Sequence, residues 1–332
     1  YGSFDIVSSG YNQEPQLKIY MNQNPNFRAV SDTYGLPKLF SSKMAWGDLD
    51  NDGDIDLAIA GIDKDDNYVF DIYYRENGKD NFVKEKDFNY SGFINGDLKI
   101  VDIDLDGDND IIFSGEDSSG NSNGGMITNS YLKNSNNNYF TPGLLSYKNS
   151  SIEIFNQRGN MKLIITGEDS SGNNAIGGTG ADIIYNKPKL KNGDIATADF
   201  NNDGNLDIVF TGEDENGNPV SELHIGENFI ENLPASGGYS KSSIELLGLR
   251  ESTVDWVDYD MDGDLDLFIT GISASSGPKA ILYETEIRNK KNTPPAKITG
   301  LKSENLGFGK IKFSWDVPSD DYSSNLGYNI RL

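Results

Sequence analysis

The sequence predicts an almost all-β fold assembled from one repeated sheet. An aspartate-rich loop that runs into an apolar strand recurs along the chain, and a glycine closes that strand at intervals of 45 to 59 residues. Glycine, tyrosine and phenylalanine are abundant, at 36, 17 and 16 of 332 residues, as many short strands joined by turns require. Apolar periodicity of the helical kind, sustained over ten or more residues, is hard to find. A chain of this length can bury a large core, as two domains or as one large β-rich domain.

The best copy of the loop is Asp48-Leu49-Asp50-Asn51-Asp52-Gly53-Asp54-Ile55-Asp56, preceded by Trp46-Gly47 and followed by Leu57-Ala58-Ile59-Ala60-Gly61. Five carboxylates within nine residues repel one another, and a hard divalent cation resolves that cost. Read as a calcium loop, Asp48, Asp50 and Asp52 are ligands 1, 3 and 5, Asp54 offers its carbonyl at 7, Asp56 closes the shell at 9, and Gly53 makes the sharp turn. An EF-hand would need Glu at position 12 and a helix after it. Ile59 and an apolar strand stand there instead, so this is a calcium loop between strands.

In chain order, residues 1 to 10 match the tail of such a repeat, with Asp5 to Gly10 aligned on Asp56 to Gly61, so the loop of that copy is expected upstream. Complete loops follow the first at Asp102, Asp104, Asp106, Asp108 and Asp110; at Asp199, Asn201, Asp203, Asn205 and Asp207; and at Asp258, Asp260, Asp262, Asp264 and Asp266. The third of the four should bind least tightly, because Asn201 replaces a charged ligand, whereas Asn205 contributes only its backbone. Between residues 154 and 167 lies a degenerate copy in which Arg158 and Lys162 occupy ligand positions 5 and 9, which rules out calcium there. The closing glycines at 10, 61, 115, 167, 212 and 271 give periods of 51, 54, 52, 45 and 59 residues, each room for about four strands and in the range of β-propeller blades. The strands flanking each loop (43–46, 98–101, 195–198 and 254–257 before it) are the most apolar and should be the inner, doubly covered ones. The Tyr- and Phe-bearing segments, with turns such as Asn77-Gly78 and residues 131–140, form the outer half as hairpins. Residues 288–295, ending in Pro294-Pro295, read as a linker. Beyond it, 296–301, 310–315 and 328–332 alternate as strands.

These motifs resemble the FG-GAP/VCBS repeats, bacterial relatives of the integrin α-subunit β-propeller. The resemblance covers residues 1–290, with 291–295 as linker. Residues 296–332, with Phe313-Ser314-Trp315 and Gly327-Tyr328, are similar to the N-terminal half of a fibronectin type III domain. The family implies a seven-bladed ring with calcium loops on one face; six blade signatures are present here, the first incomplete. It also implies an exported bacterial protein, often of the Bacteroidota, acting in adhesion, in protein or glycan binding, or as a scaffold for an attached enzyme.

A formal charge of −24, reduced only by eight when four calcium ions are bound, repels nucleic acid and anionic membranes. No apolar run is long enough to span a bilayer. With no cysteine and His224 as the one histidine, thiol chemistry, zinc sites and histidine triads are nearly excluded. Calcium loops of this kind fill at extracellular calcium levels, which favours export. Paired carboxylates can also be glycosidase acid and base, but the calcium spacing accounts for these. A further candidate is an acidic rim on the opposite face, in the turns carrying Glu116 and Asp117, Glu168 and Asp169, and Glu213 and Asp214. It would bind a glycan or a basic partner. The expected function is therefore a calcium-stabilised, non-enzymatic binding, adhesion or scaffold module outside the cell. The alternative is the non-catalytic propeller of a secreted polysaccharide-degrading enzyme.

Overall fold

The computed structural model describes residues 6–23, 26–76, 81–128, 146–157, 160–179, 186–227, 238–260, 262–285, 296–307 and 310–316. The turn at Asn77-Gly78, residues 131–140, Arg158, the linker and residues 328–332 lie outside them. The described residues form strands and turns with no helix, in consecutive antiparallel sheets that follow the chain. The first sheet is β1 (Ile6–Asn12), β2 (Glu14–Asn22) and β3 (Phe27–Val30). The second is β4 (Phe40–Gly47), β5 (Asp56–Ile62), β6 (Tyr68–Arg75) and β7 (Phe82–Lys84). The third is β8 (Ile94–Val101), β9 (Asp110–Glu116) and β10 (Ser122–Ile127), and the fourth β11 (Lys148–Gln157), β12 (Asn160–Glu168) and β13 (Asn174–Gly178). The fifth is β14 (Ile195–Ala198), β15 (Asp207–Glu213), β16 (Pro219–Glu227) and β17 (Gly238–Lys241), and the sixth β18 (Arg250–Val257), β19 (Asp266–Ser273) and β20 (Gly277–Tyr283). A separate hairpin pairs β21 (Thr299–Gly307) with β22 (Lys310–Asp316).

Each sheet lays one face on the next. Strand alternation sends Ala58 and Ala60 of β5 to one side, where they meet Ile111 and Phe113 of β9, and sends Leu57 and Ile59 to the other, where they meet Leu17 and Ile19 of β2. The same pairing joins Ile112 to Leu163 and Ile165, Ile164 to Ile208 and Phe210, and Val209 to Leu267 and Ile269. Six sheets thus share five cores. The strand after a loop is buried on both faces where a sheet lies on either side of it: β5 has no exposed residue, whereas Phe268 of β19, in the last sheet of the series, is exposed. The strand before it is less covered than its apolar content suggests: Ser41, Lys43 and Trp46 of β4 are exposed. The reason is position, since β4 is an edge strand of its sheet and is flanked by β8, the edge strand of the next.

Side chains on these first strands also bond across sheets. Asp97 Oδ2 accepts the Ile152 N–H at 2.9 Å, and Asp194 Oδ2 accepts the Val254 N–H at 3.2 Å while its Oδ1 accepts the Ser151 hydroxyl at 2.7 Å. Glu153 Oε1 takes both the N–H and the hydroxyl of Thr197, at 3.1 and 2.6 Å. Burial pushes the Glu153 and Asp194 carboxyls above the usual carboxylate range despite these donors.

The closing glycine has a local cause. Opposite it, the first strand of the sheet carries one extra residue, a β-bulge between Phe40 and Lys43, Ile94 and Asp97, Lys148 and Ser151, and Arg250 and Thr253. The bulged backbone passes so close that a Cβ on Gly61 would lie 2.9 Å from Phe40 O and from Ser42 Cβ, and one on Gly271 2.8 Å from Ser252 Cβ. The bulge residue itself is left-handed in each repeat: Ser41, Asn95, Asn149, Asn192 and Glu251 all have φ between 46° and 53°. Asparagine fills that place three times, as its tolerance for this region predicts.

Candidate metal centres

The four acidic loops connect β4 to β5, β8 to β9, β14 to β15 and β18 to β19, so all stand at the same end of their sheets. They share one internal scaffold. The first aspartate accepts the N–H of the turn glycine: Gly53 to Asp48 Oδ2 at 3.0 Å, Gly107 to Asp102 at 2.9 Å, Gly204 to Asp199 at 2.9 Å and Gly263 to Asp258 at 3.2 Å. Position 3 accepts the N–H of position 5, and position 5 accepts that of position 7, as in Asp52 N to Asp50 Oδ1 at 3.1 Å and Asp54 N to Asp52 Oδ1 at 2.8 Å. Residue 201 keeps this bond as an asparagine, with Asp203 N on its Oδ1 at 2.9 Å. The turn glycines have φ of 85° to 97°, with open space around Gly53, Gly107 and Gly263, so the backbone angle and not room demands glycine there.

The ninth-position aspartate also has a place in the strand network. Asp56, Asp207 and Asp266 are almost fully buried, and one oxygen of each accepts a backbone N–H from the end of the third strand: Arg75, Gly226 and Thr285, each at 2.9 Å. The other oxygen of Asp56 and Asp266 takes the N–H of loop position 2, Leu49 at 2.8 Å and Tyr259 at 3.0 Å. Ile103 approaches Asp110 in the same way at 3.3 Å. This residue therefore stitches the loop to the outer half of its sheet.

Carboxylate oxygens of Asp48, Asp50 and Asp56 lie within 4.8 Å of one another, as do those of Asp102, Asp104 and Asp110 and those of Asp258, Asp260 and Asp262. Such groups can hold a metal ion. Among the described residues, seven buried side-chain atoms lack a hydrogen-bond partner, and four of them are carboxylate oxygens of these loops: Asp48 Oδ1, Asp54 Oδ2, Asp207 Oδ2 and Asp258 Oδ1. A buried anionic oxygen without a donor is costly, and a cation held at positions 1 and 9 would remove the cost for Asp48, Asp207 and Asp258, though not for Asp54, whose position offers its carbonyl. The electrostatics agree: burial, then neighbouring aspartates, raise the Asp56 carboxyl to about 6 and the Asp207 carboxyl to about 7, and raise Asp50 and Asp199 as well. An all-oxygen set of this kind suits a hard cation.

The degenerate copy contains no such loop. Strand β11 continues to Gln157 and β12 starts at Asn160, with Phe155 paired to Lys162, so two strands meet almost directly where the other repeats carry eight residues between the strands.

The turns at the other end hold their acids differently. Asp117, Asp169 and Asp214 each accept two N–H groups of their own turn, such as Ser119 at 2.8 Å and Asn121 at 3.0 Å for Asp117. Hydrogen bonds within the turn, from Asn173 and from Asn218, hold the exposed Asp169 and Asp214 carboxyls below the usual range. Glu116 accepts the side-chain amide of bulge residue Asn95 at 3.0 Å, and Glu213 that of Asn192 at 3.2 Å. Glu168 pairs with Lys191 at 2.8 Å and Lys148 at 3.2 Å, which outweigh its burial and keep its carboxyl low. His224, on β16, is buried against Phe210, with Nε2 3.1 Å from Glu222 Oε2. Lys241 reaches the other Glu222 oxygen at 2.6 Å.

The bulge asparagines and the cross-sheet aspartates Asp97 and Asp194 escape a reading of the sequence. An asparagine or aspartate at a fixed offset before each apolar strand is the signal that could have found them.

No protein-family model matches the chain, and no curated protein does. Among solved structures it is similar to an endo-arabinase from Bacteroides thetaiotaomicron, with 12% identity and a TM-score of 0.37 over 86% of this chain and 90% of that one. At that TM-score the likeness carries no inference about this chain. Among the described residues, no helix is long and apolar enough to cross a membrane.

Proposed function

We propose that this chain is a non-enzymatic module of the FG-GAP/VCBS kind, a β-propeller over residues 1–290 whose loops bind calcium outside the cell. Residues 291–295 link it to the start of a fibronectin type III-like domain, 296–332, to which the β21–β22 hairpin belongs. The reading rests on one observation: four loops repeat the same hydrogen-bonded scaffold, and in three of them it leaves buried carboxylate oxygens without donors. Calcium fits that donor set, with side-chain oxygens at positions 1, 3, 5 and 9 and a carbonyl at 7. The ion would tie each loop to the strands it joins, and position 9 would pass that restraint to the third strand. With Kd of about 0.1 mM against about 1 mM calcium, binding stabilises by roughly 1.4 kcal/mol per loop. Over four loops that is a large share of the net stability of a domain.

Biologically, such a module presents a rigid surface to a protein or glycan ligand, in adhesion or as a scaffold. The turn tips around residues 116–121, 168–173 and 213–218 are candidates for that surface, because they stand together at the end of the sheets remote from the loops. Thermal unfolding with millimolar calcium and with chelator tests the metal. A higher Tm in calcium is expected, and equal Tm values overturn the reading. Glycan-array and pull-down screens with and without calcium test the ligand role, with alanine at Glu116, Asp117, Glu168, Asp169, Glu213 and Asp214 expected to abolish binding at the rim.

A further inference from the structure

Two of the metal loops touch through side chains that are not themselves ligands. Asn51, at the left-handed fourth position of the β4–β5 loop, donates its Nδ2–H to Asp108 Oδ1 in the β8–β9 loop. In return, Asn109 Nδ2 of the second loop donates to the Asp48 carbonyl of the first at 2.9 Å. Beneath them Ile100 packs directly on Gly47, where a Cβ would lie 2.3 Å from Ile100 Cγ2. Each bridge joins the ligand run of one loop to that of the other. Asp48 supplies the first carboxylate, Asn51 lies between ligands Asp50 and Asp52, and Asp108 supplies the seventh-position carbonyl. At the position of Asn109 the other three loops carry Ile55, Leu206 and Leu265. The amide that makes one of the bridges is thus a departure from the repeat.

We propose that these two loops bind calcium cooperatively, each filled site raising the affinity of the other. The proposal rests on the calcium reading given above. A loop that binds an ion must be ordered, and ordering backbone and side chains costs entropy. An ion in the first loop fixes Asp48 and Asn51, and through the two amides it also fixes Asp108 and Asn109. The second ion then meets a loop that is already ordered. Repulsion between the ions opposes this, but each is largely neutralised by its own carboxylates. By linkage the factor is the same in both directions, and coupling of this sort amounts to about fivefold or more.

The test uses the full chain with Trp256→Phe and Trp315→Phe, so that Trp46, two residues before Asp48, reports calcium binding at the first loop by fluorescence. Calorimetry gives the total uptake. Removing the second site with Asp104→Ala and Asp106→Ala should weaken the first about fivefold or more. Asn109→Leu, the type of residue the other loops carry, and Asn51→Gly, which keeps the left-handed backbone, should each do the same with every ligand in place. Asn201→Ala with Asp203→Ala, in the β14–β15 loop, should leave the first site unchanged. Unaltered first-site affinity in the folded variants, alongside calcium uptake by the wild type, overturns the coupling and leaves the metal reading standing. A wild type that takes up no calcium overturns both. If circular dichroism finds both asparagine variants unfolded, the ligand-removal variant decides.

Discussion

Single residues decide how tightly the proposed calcium loops would bind and how the fold withstands acid. The β14–β15 loop differs from its three relatives in carrying Asn201 at ligand position 3, where an amide keeps the hydrogen bond to Asp203 but brings no charge. Asn201→Asp should therefore tighten that loop by roughly tenfold, read by calorimetry as the disappearance of the weakest site, because ligand charge is one of the levers that tunes calcium loops. Glu222 supplies a pH prediction. Hydrogen bonds from His224 and then Lys241 hold its carboxyl down at about 2, well below its ordinary 4.5. A depressed folded pKa gives stability that is present above the unfolded value and is lost as pH falls through the folded one. Melting curves between pH 5 and pH 2 should thus converge for wild type and Glu222→Gln as the acid end is approached, with the wild type ahead at pH 5. A gap that widens toward low pH would contradict the assignment.

At the scale of the element, the repeat is a bulged hairpin with a glycine set against the bulge. Gly61→Ala puts a methyl 2.9 Å from Phe40 O and Ser42 Cβ, where backbone has to move. A loss of about 1–3 kcal/mol in denaturant unfolding is expected, with calcium saturating throughout. A substitution at Gly53, by contrast, meets open space but a φ of 92°, so its cost lies in backbone strain and appears in the loop. Much of this element was legible in the sequence: the loop, its turn glycine, the apolar strand and the closing glycine. What the closing glycine is for was not. Its reason is the extra residue in a partner strand some twenty positions earlier, and nothing in Leu57 to Gly61 encodes that partner's path. The ninth-position aspartate likewise reads as a ligand from its spacing, while its bonds to Arg75, Gly226 and Thr285 come from strands whose return to the loop is a matter of sheet pairing.

For the whole molecule, six sheets share five cores, so one face at each end of the series is left uncovered among the described residues. Repeat-equivalent positions make this plain. Ala58, Ile112, Ile164 and Val209 are fully buried, yet Phe268 is 40% exposed; Leu57, Ile111 and Ile208 are fully buried, yet Ile6 is 46% exposed. The same position in the same motif should then carry very different energies. Ile112→Ala should cost about 2–5 kcal/mol as a cavity in a shared core. Phe268→Ala should cost under about 1 kcal/mol in this chain, as surface substitutions do. Comparable losses at both sites in urea unfolding would mean that the sixth sheet is covered in solution.

The sequence alone determined the local grammar: which acidic residues crowd together in loops that could hold a cation, that an apolar strand follows each loop, where the repeat begins again, and which copy lacks the acidic run. These follow from spacing within one segment, where covalent connection already brings the groups near. Only the tertiary structure decided which face of each sheet meets which neighbour, that Asp97 and Asp194 reach across to the next sheet, and that Asn51 and Asn109 join two loops more than fifty residues apart. Those contacts depend on how whole sheets stack, and stacking is settled by burying apolar faces against one another rather than by any single stretch of chain.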